Sequence, residues 1–233
     1  MPEYLLEGSG LAELARFVIT DGTLDDALLW VAELACKVVP GDMAGITLLA
    51  EGRPATGVFT DPQAAELGIA QYGAGGPYRE SFRRQQVYRI DSTCTAQRWP
   101  EFTAAAVAHG VTATLSVPLT ACGECLGVLA LHSRTGPFTD EAVFQAENFA
   151  APASVLLANV QAYWDVRQLA ERLQRAMRSR ATIEHAVGIM MARGGRTAEE
   201  AFQLLVRASQ RENRKLRTIA AEIVDRTERR QPR

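Results

Sequence analysis

The sequence predicts an α+β protein: a sheet-and-helix body, then one long helix, then a small bundle of short helices. Three observations carry that prediction. Runs such as Val111 to Thr120 alternate apolar and polar residues between turn signals, as half-buried strands do. From Thr139 to Met191 only Pro152 and Gly188 interrupt helix chemistry. Beyond Gly194-Gly195, two further apolar patterns recur at 3–4 spacing.

The body reads in order as follows. Leu11 to Thr20 forms a short helix with Leu11, Leu14, Ala15 and Val18 on one side. Thr23 opens a stronger one, with Asp25 and Asp26 in its first turn and Leu24, Leu28, Val31, Leu34, Ala35 and Val38 as its apolar face. Pro40-Gly41 stops it. Met43 to Ala50 is a strand, Glu51-Gly52-Arg53-Pro54 a turn, and Thr56 to Thr60 a second strand. A helix-and-loop region runs from Pro62 to about Gln85, broken at Gly73, Gly75, Gly76 and Pro77. Val87 to Ile90 is a short strand, Asp91 to Arg98 a polar loop, and Pro100 to His109 a helix ending at Gly110. The strands Val111 to Thr120 and Cys125 to Ser133 flank the tight turn Cys122-Gly123-Glu124. Thr139, followed by Asp140 and Glu141, caps the long helix.

Pro152 cannot donate to the carbonyl of Asn148, so a kink is expected there. Beyond it, Val155, Asn159, Ala162, Val166, Leu169, Leu173, Ala176, Arg180, Ile183, Val187 and Met190 alternate by four and three. That is a heptad seam, and it predicts a parallel coiled-coil dimer, with Asn159 and Arg180 setting register. The same pattern also suits a long amphipathic helix packed on its own domain.

The C-terminal stretch contains two helical patterns with a stop between them. Ile183, Val187 and Met190 form one face, and Ala198, Ala201, Phe202, Leu205 and Ser209 the next. Glycines 194 and 195 end the first helix, and Thr197 with Glu200 makes a capping box for the second. A third helix from about Arg214 carries Leu216, Ile219, Ala220, Ile223 and Val224 inward, with Met191, Phe202, Leu205 and Ala220 as bundle core. Arg214, Lys215 and Arg217 sit in its first turn, where cations oppose the helix dipole. Arg207 and Arg211 point to the same corner. A helix start with clustered Arg and Lys suits phosphate; such a cluster can also be a solvated basic face.

At 233 residues, 47% hydrophobic and 22% charged, the composition is that of a soluble globular protein. The net charge of −2 hides an asymmetry: residues 1–177 hold 12 Lys+Arg against 20 Asp+Glu, a net −8, and residues 178–233 hold 13 against 7, a net +6. An acidic body with a basic tail fits a regulator that touches nucleic acid. MPEYLLEGSG has no basic stretch followed by an apolar core, and no apolar run approaches about 18 residues. The cytoplasm is the expected compartment, with no membrane partner. Cys36, Cys94, Cys122 and Cys125 should then be reduced. Cys122 and Cys125 form a CxxC without a second pair to complete a zinc site, so no metal is expected. Redox sensing by Cys94, Cys122 and Cys125 is the sharper alternative to incidental turn cysteines. There is no Ser/His/Asp set or phosphate-cradling loop, and no enzyme is expected; His109, His132 and His185 are isolated.

Two resemblances complete the reading. Ser116-Val117-Pro118-Leu119, then Gly127-Val128-Leu129-Ala130-Leu131, then Phe138-Thr139-Asp140-Glu141, together with the element order, resemble the end of a GAF domain. The resemblance covers about 150 residues and implies a PAS-like antiparallel sheet with flanking helices, whose concave face holds a small ligand beneath loops. The segment from Tyr72 to Tyr78 and the loop from Asp91 to Trp99 would border that pocket. Bilin-binding relatives use a cysteine usually followed by histidine, which none of the four is, so no bilin is expected and the ligand stays unidentified. Some GAF proteins reduce free methionine sulfoxide with loop cysteines, which makes a thiol-dependent reductase one alternative.

The run Ile183-Glu184-x-Ala186-x-Gly188-Ile189-x-Met191-x-Arg193, then Glu200-Ala201-Phe202-x-x-Leu205, then Ser209-Gln210-x-x-Asn213-x-Lys215-Leu216-Arg217-x-x-Ala220, is similar to the ANTAR domain. One departure is Val187, where many members carry lysine. The resemblance implies a three-helix RNA-binding module that recognises tandem hairpins in nascent transcripts and prevents a terminator. The expected division is a sensor over 1–150, a coiled-coil linker over 151–177 and the RNA-binding bundle over 178–233. Expected RNA contacts are Arg193, Arg207, Arg211, Asn213, Arg214, Lys215 and Arg217, with Ala186 and Gly188 permitting close approach. The expected dimer seam is Val155, Ala162, Val166, Leu169, Leu173, Ala176 and Ile183. A DNA-binding bundle and a sensing dimer without nucleic-acid activity remain open at this point.

Overall fold

A computed structural model describes residue 10 and residues 12–17, 22–50 and 53–228. Of the first expected helix, residues 12–15 are helical and Leu14 is buried, whereas Leu11 and Val18 lie outside the described residues. The chain divides into two compact units, residues 1–164 and 165–233.

The first unit is built on a five-stranded antiparallel sheet of order β2-β1-β5-β4-β3. Helix α1 (Leu24–Val38) starts at a capping box: the Asp26 N–H donates to Thr23 Oγ1 (3.2 Å), and the Thr23 N–H donates to Asp26 Oδ2 (2.6 Å). Strand β1 (Met43–Ala50) runs into β2 (Arg53–Phe59). Arg53 and Pro54, expected in a turn, already belong to β2, paired with Ala50 and Leu49 beyond a bulge at Leu48/Leu49. The reason is position: β2 is an edge strand, where a residue without an N–H costs no ladder bond. The rest of that expected turn, Glu51-Gly52, lies outside the described residues.

Helices α2 (Pro62–Ala74) and α3 (Pro77–Arg84) follow, then the short strand β3 (Tyr88–Ile90) and helix α4 (Pro100–Ala108). Strands β4 (Ala113–Ala121) and β5 (Glu124–Ser133) form a hairpin joined by Cys122 and Gly123, both at positive φ (53° and 84°). Two consecutive left-handed residues make the primed turn that matches strand twist, so the CxxC motif spans a hairpin turn.

Each face of the sheet carries its own core. Leu115, Val117, Leu119, Leu129 and Leu131 pack with Leu28, Val31 and Ala35 of α1 and with Ala146, Phe149, Ala153 and Leu157. The opposite face packs Met43, Ile90 and Phe59 with Leu67 of α2 and Phe102 and Ala106 of α4. Phe59 lies flat among glycines: a Cβ on Gly45 or Gly68 would stand 2.4 or 2.7 Å from its ring. Glycine is required there because the aromatic ring fills the space a side chain would take.

Helix α5 (Asp140–Gly194) is 55 residues long and runs through Pro152. The second unit contains its C-terminal part together with α6 (Ala198–Glu212) and α7 (Leu216–Glu228). Gly195 at φ +58° ends α5, its N–H bonded to the Met191 carbonyl (3.0 Å). The expected capping box opens α6: the Glu200 N–H donates to Thr197 Oγ1 (3.3 Å) and the Thr197 N–H to Glu200 Oε2 (2.9 Å). Ala186, Leu205, Ile219 and Ala220 are the buried centre, with Ile183, Val187, Met190, Leu216 and Ile223 packed around them.

Candidate nucleic-acid interface

The turn from α6 to α7 is where the basic residues gather. Asn213 adopts the left-handed conformation (φ 50°) that ends α6, which Asn tolerates better than most residues. The Arg214 N–H donates to the Ser209 carbonyl (3.0 Å), and Ser209 Oγ donates back to the Arg214 carbonyl. Helix α7 starts two residues later than the sequence predicts. Lys215 occupies its N-cap position, its carbonyl accepting from Thr218 (2.8 Å) and Ile219 (3.4 Å). Lysine has no acceptor to offer the first turn, and the Leu216 and Arg217 N–H groups have no hydrogen-bond partner among the described residues. Lys215 and Arg217 are both exposed there and make no ion pair among the described residues.

Arg214 behaves differently. It pairs with Glu222 of α7 and with Glu212 Oε2 at 3.3 Å. Glu222 holds its guanidinium pKa above the usual value, and the Glu222 carboxyl is correspondingly held down. Its charge is therefore spent on bracing the turn. Arg211 has a weaker contact with Glu212 (3.5 Å) and stays largely exposed. Arg207 lies one turn before it on α6, exposed and beside Gln203 and Leu204.

Other expected contacts are placed apart. Arg193 is exposed in the last turn of α5, at the opposite end of α6 from Lys215. With 15 residues in α6 and about 1.5 Å rise per residue, the two ends are separated by about 22 Å of helix. Ala186 is fully buried among Leu205, Ile219 and Ala220, so its methyl is a packing group and not an RNA contact. Gly188 is exposed and lies in a groove of ≈ 600 Å³ with Ile183, Val187, Met191, Ala198 and Phe202. Met191 and Phe202, expected in the bundle core, are each 37% exposed as walls of that groove. Helical periodicity identified them as apolar without revealing that no third helix covers that side.

The expected dimer seam is apolar and uncovered over much of its length. Val155 (55% exposed) and Ala162 lie on the first unit. Val166, Leu169 and Leu173 (67%, 57% and 56% exposed), with exposed Ala176, lie on the second. The seam does not extend unchanged into the bundle: Ile183, Val187 and Met190 pack instead against α6 and α7.

In the first unit, the sheet face beneath α2 and α3 carries buried polar groups. Thr114 Oγ1 meets His132 Nδ1 at 3.1 Å, and complete burial pushes the His132 pKa down to about 4. Ser81 Oγ donates to the Ser116 carbonyl (3.4 Å), while the buried Ser116 hydroxyl has no partner among the described residues. Arg98 stacks over Trp99 (4.2 Å) and Tyr88 (5.3 Å) and pairs with Glu80 (3.3 Å), which also holds Arg84 (3.1 Å). The expected pocket-side loop from Asp91 to Trp99 is clamped by these contacts. Sequence reading missed Ser116 and His132 as a paired polar face; their spacing on adjacent strands was the available signal. Cys94 and Cys122 are exposed, and burial pushes the Cys125 thiol up, its Sγ donating to the Gly127 carbonyl (3.3 Å). Among the described residues no group of three His, Cys, Asp or Glu is placed to hold a metal, and no helix is long and apolar enough to cross a membrane.

Comparison with known proteins agrees with this division. The GAF domain family model matches residues 23–157, and the ANTAR domain model matches residues 171–224. A domain of a protein described as a two-component sensor histidine kinase from Sinorhizobium meliloti 1021 superposes with a TM-score of 0.50. The identity is 16%, over 64% of this chain and 99% of that one. Free methionine-R-sulfoxide reductase from Neisseria meningitidis, in complex with its substrate, superposes with a TM-score of 0.50 at 13% identity. That match covers 68% of this chain and 89% of the reductase. At such identities the likeness establishes the fold alone. No curated protein matches the chain. A GAF domain followed by an ANTAR domain is the domain content of a sensor-controlled regulator. The chain belongs to the GAF domain family, and its C-terminal unit is an ANTAR domain.

Proposed function

We propose that this protein is a cytoplasmic, signal-responsive regulator that binds tandem hairpins in nascent RNA and promotes transcription antitermination as a homodimer. The observation that carries the reading is the start of α7, where exposed Lys215 and Arg217, which make no ion pair among the described residues, flank a helix N-terminus that has no side-chain cap among those residues. Amide N–H groups and two free cations at one point make a phosphate receptor. Arg207 and Arg211 extend it along α6, and hairpin loops supply the unstacked bases that such modules read. Arg193, about one helix length away, would touch a separate phosphate. Residues 1–150 then sense, residues 151–177 carry the seam that pairs two copies, and residues 178–233 hold RNA.

The orphaned Ser116 hydroxyl supports a small polar ligand as the signal, since a buried hydroxyl without a partner is costly. Of the three loop cysteines, Cys125 is the one poorly suited to reductase chemistry, because burial pushes its thiol up, away from the reactive thiolate. Gel shifts with tandem-hairpin RNA, single-stranded RNA and duplex DNA test the proposal. Tandem hairpins should bind tightest, and Lys215→Glu with Arg217→Glu should abolish the shift. Equal binding of duplex DNA, or no loss in the double variant, would refute it.

A further inference from the structure

One cavity of the first unit takes no part in the RNA-binding reading. It measures ≈ 220 Å³ and lies where the start of α1 meets α5. Three aromatic residues, Phe17, Trp30 and Trp164, line it together with Ala27 and Val160. The Phe17 and Trp30 rings, 4.9 Å apart and tilted by 40°, meet as a wedge rather than a flat stack. Tyr163 stands edge to face with Trp164 (5.6 Å, 84°) and braces its indole. Asp26 is the one charged residue among the described lining residues. Thr23 donates to it twice, from its N–H (2.6 Å) and its hydroxyl (2.8 Å), both to Oδ2. These bonds hold the Asp26 carboxyl below the usual carboxylate range, so it is ionised at neutral pH. Its Oδ1 takes no hydrogen bond among the described residues. Phe17, Val160 and Trp164 fall outside the span 23–157 matched to the GAF family, and the cavity is not on the sheet face beneath α2 and α3.

We infer that this cavity binds a small quaternary ammonium molecule, its positive group held against the aromatic rings and beside the Asp26 carboxylate. A cation is attracted to the electron-rich faces of aromatic rings, most strongly to tryptophan. The described lining holds no Lys or Arg to repel it. Asp25 and Asp26, in the first turn of α1, outweigh the positive end of that helix, which amounts to about half a charge. A primary ammonium would have three N–H donors to satisfy, and the lining side chains offer only the Asp26 carboxylate and the Thr23 hydroxyl. A fully methylated nitrogen has no donor, and its methyl groups suit an apolar wall. At ≈ 220 Å³ the cavity is smaller than the roughly 300–1,000 Å³ pockets that take drug-sized ligands, which selects a small free molecule. Ala27 and Trp30 belong to α1, and Val160 and Trp164 to α5. The occupant therefore ties α1 to the stretch of α5 where the first unit ends.

NMR of the indole N–H groups of the full chain, titrated with choline, tests this, because the chain has three tryptophans. Trp30 and Trp164 line the cavity, and Trp99, stacked under Arg98, is the internal control. Choline should shift the Trp30 and Trp164 signals saturably and leave that of Trp99 in place. The isosteric alcohol, with carbon in place of the charged nitrogen, should bind about fivefold more weakly or worse. Trp164→Leu should weaken choline binding by a similar factor, its remaining indole signals reporting that the fold persists. Asp26→Asn, which keeps an acceptor for the Thr23 N–H, should weaken it as well. No saturable shift at millimolar choline overturns the inference, as does equal binding of the neutral alcohol. A Trp164→Leu protein that binds choline as the parent does overturns it too. So does a joint shift of all three indoles, which reports a general effect of the salt.

Discussion

Arg214 and Lys215 are neighbours with the same charge, yet the structure gives them different tasks. Arg214 is held by Glu212 and Glu222, whereas Lys215, at the start of α7, has no ion pair among the described residues. Arg214→Ala should therefore lower the melting temperature of the bundle slightly and weaken RNA binding only through the loosened turn. Lys215→Glu and Arg217→Glu should leave the melt unchanged or slightly raised, since acids suit a helix N-terminus, and weaken binding directly. The log–log salt dependence of RNA affinity should become shallower by about one for each phosphate contact removed. A Lys215 variant with an unchanged salt slope would take that residue out of the interface. The basic cluster was legible in the sequence; its division was not, because Glu222 lies eight residues from Arg214 and only the return of α7 makes them partners.

His132 makes a second prediction at the same scale. Its pKa is pushed to about 4 by burial, below the value of about 6.5 in an unfolded chain. The unfolded state therefore binds the extra proton between those values, and stability falls as pH drops through that window. The full loss is about 3 kcal/mol by pH 4. Denaturant melts of the first unit between pH 7 and 4.5 should show that slope, and His132→Gln should flatten it. Carboxylates held down by their partners, such as Glu80, contribute at more acid pH, below their ordinary range. A slope that persists unchanged in the variant would assign the acid sensitivity elsewhere.

Among elements, those with local signals were legible and those fixed by distant neighbours were not. The helix start at Thr23, the capping box at Thr197, the alternation of β4 and the turn at Cys122-Gly123 each depend on a few adjacent residues. Pro54 was misplaced because the tolerance of β2 for proline comes from its edge position, which no local pattern states. Gly45 and Gly68 likewise serve Phe59, a contact made across strands and helices. Gly45→Ala should cost about 1–3 kcal/mol, as overpacking does, because the new methyl meets the ring. Gly188→Ala should act oppositely, raising bundle stability by about 0.5–1 kcal/mol, since a helix glycine in open space is replaced by a better helix former. Thermal melts of the two variants that move in the same direction would show that one of these glycines is misread.

For the whole molecule, charge and pairing act together. The basic C-terminal segment carries a net +6 and the acidic remainder a net −8, so attraction to any polyanion is confined to one part of the chain. A single bundle offers few phosphate contacts, so on the proposed reading its own affinity for RNA is low. In the proposed dimer, two bundles joined through the exposed stripe of Val166, Leu169 and Leu173 would convert the second hairpin contact into an intramolecular step. Affinity for two hairpins in one transcript then exceeds affinity for one by roughly 10²-fold or more, without any new contact. Leu169→Glu with Leu173→Glu places like charges on the stripe and should give a folded monomer. That monomer should keep its affinity for a single hairpin and lose the preference for tandem ones. Filter binding with one-hairpin and two-hairpin RNAs, at matched salt, measures the ratio. If the dissociated protein still favours the tandem RNA by the same factor, each bundle reads both hairpins by itself and the stalk has another purpose.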